Sequence, residues 1–200
     1  MNVKTPRTLF LIVVCLALVS CTKESREDSV ANSAEVKAFL THFFITGTKL
    51  IKNETEDFSL QTQYAEILTG ADTTCSSESL CNKTKDYFLE FTPNFLFGTI
   101  NGRTIVSEAD PDAFVDLCDI RGTKVYRVLG TGTEGSIYGT FWLSDYAFVV
   151  YGMESNEGFA DVFDIKAKTK TSYSIDKEKR KPHADLDAFL IDKYGHADSF

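Results

Sequence analysis

The hydrophobic and polar positions of the chain change their spacing along its length, and the spacing predicts the elements. After the capping pair Asn32 and Glu35, apolar residues recur at helical spacing and predict a helix over residues 33–52. These apolar residues are Val36, Phe39, Leu40, Phe43, Phe44, Leu50 and Ile51. A partner-binding or membrane-surface helix has a similar stripe, but a stripe this wide favours a helix packed on a core, with His42 in solvent.

Strand-like runs follow a polar stretch. They cover residues 58–68 and 87–91, and two further runs, 95–100 and 103–107, flank Asn101-Gly102. Asn-Gly between two apolar runs is the strongest short-range signal for a β-hairpin, because both turn residues take positive φ. We therefore expect a hairpin there.

A short helix is predicted in the middle of the chain, over residues 111–121. Asp110 suits the capping position, and Pro111 suits the first helical position. Gly122 can adopt the left-handed conformation that ends a helix.

The second half of the chain has the pattern of an antiparallel meander, with β-branched and aromatic runs separated by turn residues. The runs are residues 125–129, 137–143, 146–151, 159–165 and 171–175. Pro182 introduces a C-terminal helix that ends at Gly195. Its apolar face is Leu186, Phe189, Leu190 and Tyr194. The predicted fold class is α+β: an N-terminal helix, an antiparallel β-meander sheet, a short mid-chain helix and a C-terminal helix, in one domain of residues 33–200.

Composition and charge narrow the classes of protein. The chain has 200 residues, of which 43% are hydrophobic and 25% charged, so it is long enough for a core and unlike a polytopic membrane protein. Its formal net charge of −8 repels a phosphate backbone, and we expect no nucleic-acid partner.

The first residues have the three zones of a secretory signal peptide. Lys4 and Arg7 form a basic start, residues 9–19 are an apolar run, and the small Ser20 precedes Cys21. The apolar run is about half the roughly 20 residues that a helix needs to cross a bilayer, so a permanent membrane span is the weaker interpretation. Leu18-Val19-Ser20-Cys21 resembles the lipobox of bacterial lipoproteins.

The lipobox resemblance implies that residues 1–20 are removed and that Cys21 carries a thioether-linked diacylglycerol, with an acyl chain such as palmitate on the new amino terminus. Thr22, in place of an aspartate, implies the outer membrane of a diderm bacterium. Residues 21–32 are rich in charge and nearly without large apolar groups, which predicts a flexible tether. An ordinary cleaved signal peptide, with Cys21 unmodified, is the alternative.

Three cysteines lie in the body of the chain. Cys75 and Cys81 are close in sequence, and an exported compartment permits disulfides, so we expect these two to pair. A metal site needs further soft ligands at suitable spacing, and none is nearby. Cys118 is predicted to be a buried small hydrophobe rather than a reactive thiol.

Two patterns resemble ligand sites without their full context. The glycines of a G-x-G-x-x-G pattern are Gly130, Gly132 and Gly135, but a strand rather than a helix follows, so a flexible hairpin loop is favoured over a dinucleotide site. Four aspartates surround the mid-chain helix, and they are Asp110, Asp112, Asp116 and Asp119. They lack the glycine and the terminal glutamate of a calcium loop, so a solvated acidic face is favoured. With only three histidines and no nucleophile or metal-ligand motif, the sequence specifies no catalytic residue, no metal and no cofactor.

Positive charge is concentrated late in this acidic chain. Lys166, Lys168 and Lys170 precede a denser group that consists of Lys177, Lys179, Arg180 and Lys181. Lysines at alternate strand positions are one way to protect a sheet edge from pairing with another chain. The alternative hypothesis is a patch for an anionic ligand, either lipid head groups or envelope glycans.

The sequence therefore predicts a membrane-anchored envelope lipoprotein with a non-catalytic binding or assembly domain, whose partners are the membrane, through its anchor, and an envelope protein or glycan. The alternative is an exported hydrolase or glycan-binding protein. Its site would be assembled from scattered carboxylates and from aromatic residues such as Trp142, Tyr138 and Tyr146.

Overall fold

Three layers make up the described part of the chain, which in this computed structural model is residues 26–60, 66–67, 80–108 and 112–194. Helices cover one face of a five-stranded sheet, here the central sheet, and a four-stranded second sheet covers the other face. The strand orders are β1-β11-β10-β9-β8 and β2-β7-β6-β3, and β4 and β5 form a separate hairpin. The predicted α+β class is confirmed.

The elements have the following bounds in chain order. The described helices are α1 (Arg26–Asn32), α2 (Ala34–Phe43) and α3 (Leu186–Tyr194). The described strands are β1 (Ile51–Asp57), β2 (Glu66–Ile67), β3 (Tyr87–Thr92), β4 (Phe95–Ile100), β5 (Arg103–Glu108), β6 (Ala113–Asp119), β7 (Lys124–Thr131), β8 (Gly135–Ser144), β9 (Ala147–Glu154), β10 (Glu157–Asp164) and β11 (Thr169–Ile175).

The hairpin, the late strands and the C-terminal helix lie where the pattern predicts them. Asn101 and Gly102 have φ angles of 52° and 74°, as the two-residue turn between β4 and β5 requires. Strands β8 to β11 form an antiparallel meander in the central sheet. The prediction of a single meander is wrong for β7, which pairs with β6 in the second sheet. Gly195, the predicted end of α3, lies outside the described residues.

The predicted mid-chain helix over residues 111–121 is wrong, because residues 113–119 of this range form strand β6. Ala113, Val115 and Leu117 are fully buried and alternate with the half-buried Phe114 and Asp116. This period of two matches a strand that buries one face, and it outweighs the capping signals on which the helix was predicted.

The N-terminal helix is shorter than predicted. It ends at Phe43 rather than at residue 52, and Ser33 caps it by accepting a hydrogen bond from the Val36 amide at 3.2 Å. The apolar pair Leu50 and Ile51 continues the helical spacing only by coincidence, since β1 begins at Ile51 and pairs with β11. The predicted strand over residues 58–68 is present only as β2; residues 61–65 and 68 lie outside the described residues.

Part of the predicted tether over residues 21–32 is folded. Residues 26–32 form α1, and Val30 is fully buried in the core beneath the helices. A single apolar residue was too weak a signal for a helix that depends on its packing against α2. Residues 21–25 lie outside the described residues.

The core has two halves, one on each face of the central sheet. Val149, Tyr151 and Met153 of β9 enter the half under the helices, and Phe148 and Val150 enter the half under the second sheet. A strand buried on both faces reads as a continuous apolar run, as β9 does.

Candidate functional site

Lys170 lies on an inner strand of the central sheet rather than on an edge strand. Strand β11 lies between β1 and β10, so the hypothesis of lysines that protect a sheet edge is wrong for Lys170, while Lys166 and Lys168 lie in the turn before β11. The Lys170 ammonium lies 3.2 Å from a carboxylate oxygen of Asp161 and 3.4 Å from one of Glu56. Burial lowers the pKa of Lys170, but the two carboxylates outweigh burial and raise it above its ordinary value. For the Asp161 carboxyl, burial raises the pKa, and the charge of Lys170 opposes that rise.

Three of the four cations in the predicted anionic-ligand patch contact other residues of the fold, and the fourth has no ion pair among the described residues. Lys177 pairs with Glu157 at 3.6 Å, and the Arg180 guanidinium donates to Asn156. The Lys181 ammonium donates to the Thr41 carbonyl oxygen at 2.6 Å, near the end of α2. Lys179 is exposed and has no ion pair within the described chain.

Backbone pairing brings Lys179 and Lys181 against the end of α2. The Ile45 amide donates to the Lys179 carbonyl at 2.8 Å, and the Lys181 amide donates to the Phe43 carbonyl at 2.7 Å. These bonds, with a bridge between Phe44 and Arg180, fix the two short segments side by side.

Two neighbouring grooves extend this surface and add lysines that the sequence analysis missed. Lys37 and Lys181 line both grooves, which have volumes of about 720 and 480 Å³, and Lys49 lines the smaller one. We call Lys37, Lys49, Lys179 and Lys181, around the exposed Ile45, the basic surface. No linear signal joins these lysines, although Lys37 and Thr41 are one helical turn apart on the exposed face of α2.

Histidines and one carboxylate complete the larger groove. His42 and His183 line it, and the His42 Nε2 lies 2.6 Å from the Asp185 carbonyl oxygen. His42 was predicted to be solvated, but it is half-buried. Asp185 is the single carboxylate among the residues described as lining either groove, so the basic surface is positive in an acidic chain.

A third groove, of about 970 Å³, lies at the end of β8, and we call it the aromatic groove. It is lined by Ser29, Asn32, Ser33, Glu35, Cys81, Lys83, Phe141, Trp142, Leu143, Ser144 and Asp145. The Trp142 indole donates to the Leu80 carbonyl oxygen at 2.8 Å, which fixes the ring. One carboxylate oxygen of Asp145 is buried and has no hydrogen-bond partner among the described residues.

Of the three aromatic residues suggested by the sequence, the structure places only Trp142 in this groove. Tyr138 is buried in the core under the helices. Tyr146 is 40% exposed elsewhere, with the Lys166 ammonium 5.7 Å from its ring centroid.

A half-buried lysine and three tyrosines join α3 to the central sheet. A bulge in β8 removes the Tyr138 carbonyl from the strand ladder, and Lys193 and Tyr194 donate to it at 3.0 and 2.7 Å. The Lys193 ammonium also contacts the Tyr151 hydroxyl, and Gly139 makes room for both, because a Cβ there would overlap the ammonium. Burial lowers the pKa of Lys193 to about 8, with the charge of Glu35 opposing the shift. This cluster satisfies a buried carbonyl and has no lining residue in common with the three grooves.

The glycine motif that the sequence analysis compared with a dinucleotide site spans the connection between β7 and β8. Gly135 opens strand β8, so the glycine motif offers no helix terminus to a pyrophosphate, as predicted. Its loop joins β7 in the second sheet to β8 in the central sheet, so the prediction of a hairpin loop is wrong.

Asp116 and Asp119 were predicted to lie on one face of a helix, but they lie in strand β6. Asp116 pairs with Arg127 at 3.0 Å, and Asp119 accepts a hydrogen bond from the Gly122 amide at 2.8 Å. Asp110 lies outside the described residues. No group of three or more metal-ligating side chains occurs in the part of the chain that the structure describes.

The cysteine predictions have different outcomes. Cys118 is buried and reduced, which confirms the prediction of a small core residue. Cys75 lies outside the described residues, so its disulfide with Cys81 stays a prediction. Cys21 also lies outside them, and its lipidation stays a prediction.

Comparisons with protein-family models, with curated proteins and with solved structures found no match to this chain. Among the described helices, none is long and apolar enough to cross a bilayer.

Proposed function

We propose that the protein is a lipid-anchored lipoprotein of the cell envelope whose domain binds an envelope glycan without catalysis. The lipobox residues, from Leu18 to Cys21, support the anchor, and Thr22, in place of an aspartate, supports an outer-membrane location. The aromatic groove supports the binding role, and the observation that carries it is the fixed Trp142 ring in one groove with the Asp145 carboxylate, one oxygen of which has no hydrogen-bond partner among the described residues.

The chemistry of the aromatic groove suits a sugar. Sugar rings present apolar C–H faces that pack on aromatic rings, and their hydroxyls both donate and accept hydrogen bonds. Asp145 lines the groove, and its carboxylate can accept a hydrogen bond from a sugar hydroxyl. Open grooves with few convergent polar groups are typical of binding sites.

A second candidate function rests on two carboxylates in the same groove. Glu35 and Asp145 both line it, and a pair of carboxylates is the machinery of most glycoside hydrolases. The second candidate is therefore an exported hydrolase that uses Glu35 and Asp145 as its acid and base.

The groove is tested by titrating the protein with soluble envelope glycan fragments. Trp142 is the single tryptophan, so its fluorescence reports groove occupancy directly, and calorimetry gives the affinity. Glu35→Gln and Asp145→Asn should each weaken binding about 10- to 150-fold, the range for a lost charged hydrogen bond. Glu134→Gln and Asp187→Asn, which make the same chemical changes on exposed residues outside the groove, should leave binding unchanged.

The outcomes separate the candidates. Saturable binding without product formation supports the binding role. Fragment hydrolysis that is lost in both groove variants and kept in both controls supports the hydrolase instead. No fluorescence change and no heat at millimolar fragment concentrations would contradict both.

The anchor is tested independently by mass spectrometry of the mature amino terminus. A diacylated and acylated Cys21 at the first position is expected, and Cys21→Ser should remove both modifications. An unmodified Cys21 or an intact Met1 contradicts the lipoprotein assignment.

A further inference from the structure

The distance between the proposed anchor and the folded domain is short. The first described helix begins at Arg26, only five residues after Cys21, and five extended residues span at most about 18 Å. A domain of this length has a radius of gyration of about 16 Å, so such a tether holds one side of the domain close to the membrane.

The basic surface lies on that side. Helix α1 has seven residues and is therefore about 10 Å long. Its last residues, Ala31 and Asn32, line the smaller groove of the basic surface together with Lys37 and Lys49. The path from Cys21 to this groove is thus at most about 28 Å, less than the diameter of the domain.

The composition of the basic surface complements an anionic lipid layer. Lys37, Lys49 and Lys179 are exposed and have no ion pair within the described chain. Ile45 lies among them with 47% of its surface exposed, as an apolar side chain that can enter the interface. Two carboxylates lie nearby: Asp185, whose backbone oxygen rather than its charge contacts His42, and the exposed Glu178, which precedes Lys179.

We infer that the basic surface docks on anionic phospholipid head groups of the membrane that holds the anchor. The inference rests on the proposed lipid anchor. It assigns Lys37, Lys49, Lys179 and Lys181 to head-group phosphates and Ile45 to the interface. Lys177 and Arg180, two members of the patch predicted from the sequence, serve the fold through Glu157 and Asn156.

Vesicle binding of the mature-length chain carrying Cys21→Ser tests the docking without the lipid. An amino-terminal histidine tag on nickel-chelating lipids replaces the anchor, and sedimentation is compared between phosphatidylcholine vesicles and vesicles with phosphatidylglycerol added. Tag-free protein on the same vesicles measures the surface alone. Anionic vesicles should bind it, and increasing salt should release it.

Charge-matched variants locate the contact. Changing Lys37, Lys49, Lys179 and Lys181 to glutamine should lower partitioning by about five-fold per cation, on the order of 100-fold or more together. Changing Lys85, Lys124, Lys166 and Lys168, which are exposed and outside the basic surface, alters the net charge equally and should have a much smaller effect. Equal losses in the two variants overturn the proposal. A triple variant that keeps Lys181 serves if the Lys181 contact with Thr41 proves necessary for folding.

Orientation is measured on the tagged protein with lipids brominated in their acyl chains. Ile45→Trp should be quenched, whereas Ile100→Trp, at an exposed position on the β4–β5 hairpin, should not be. Equal quenching at both positions overturns the oriented contact. Displacement by millimolar inorganic phosphate at constant ionic strength would instead identify a site for free phosphate. Because the tag supplies the tether, a failed lipidation test and a failed docking test remain distinct.

Discussion

The two faces of the central sheet are covered by different kinds of structure. Three described helices cover one face, and the second sheet covers the other. The helical face carries the basic surface, the Lys193 cluster and the helical side of the aromatic groove. On the other face, Phe148 and Phe163 of the central sheet pack with the aliphatic residues of β6 in the second sheet. The candidate functional surfaces therefore involve the helical layer, whereas the second sheet mainly completes the core.

The same contrast is visible in two partly buried lysines. Lys170, on the side of the second sheet, has two carboxylates within 3.4 Å, and its pKa is raised. Lys193, under the helices, has tyrosines and a carbonyl as neighbours, and burial lowers its pKa to about 8. One lysine holds its charge as part of a pair, and the other loses its proton at a lower pH than an ordinary lysine does.

The largest expected effect comes from removing one aromatic ring from each half of the core. Phe39→Ala and Phe148→Ala each remove a fully buried ring, and each should lower the free energy of unfolding by about 3–5 kcal/mol. Phe39 contacts the rings of Phe43, Tyr151 and Phe189, so its loss should release the helices first.

Hydrogen exchange distinguishes the two variants. In Phe39→Ala, amides of α1, α2 and α3 should exchange at a lower free energy than those of the sheets. In Phe148→Ala, protection should fall across both sheets. Indistinguishable exchange patterns would show that the two faces do not form separate units.

A smaller effect is expected from Lys170→Met. The Asp161 carboxylate, which is 7% exposed, then loses its cation, and we expect a loss of about 1–2 kcal/mol at pH 7, discounted for the partial exposure of Lys170. Since the pKa of Asp161 is raised on folding, the variant should regain stability as the pH falls and Asp161 is protonated. Asp161→Asn in the same background should recover most of the loss; an unchanged urea midpoint in Lys170→Met would contradict the pairing.

The smallest effect concerns Lys193 and pH. Its pKa is about 8 in the folded protein and near 10.4 when unfolded, so between these values the unfolded state binds one proton more. The stability contributed by Lys193 therefore rises with pH from about 8 to 9.5. Lys193→Met should flatten that rise in urea titrations, whereas Lys124→Met, at an exposed lysine, should preserve it. The same slope in Lys193→Met and in the unchanged protein would contradict the assignment.

Strong local chemistry made part of the fold predictable. Asn101-Gly102 determined a hairpin because few other residues accept two positive φ angles, and β9 was recognisable because a strand buried on both faces is apolar throughout. The residues around Asp110 and Pro111 led to the wrong prediction of a helix, because capping residues mark turns of several kinds. The alternating burial of β6 depends on its place in the second sheet, which a short stretch of sequence does not reveal.

The candidate sites were less predictable, because distant segments assemble them. Lys37 and Lys181 share two grooves across 144 positions of the chain, and Glu35 meets Asp145 in a third. The sequence indicated the late lysines and Trp142 as candidates. Which lysines are engaged in the fold depends on Glu157 and Asn156, which local spacing does not relate to them.

The double burial of β9 has a consequence for the chain before it folds. Residues 147–153 contain no charge, and they combine β-branched and aromatic side chains, which is the composition of segments that form intermolecular cross-β structure. A chain that has not yet folded exposes this segment. Asp145 and Glu154 border it, and charged residues in such flanking positions oppose aggregation. The carboxylate that lines the aromatic groove therefore also protects the most aggregation-prone strand of the unfolded chain.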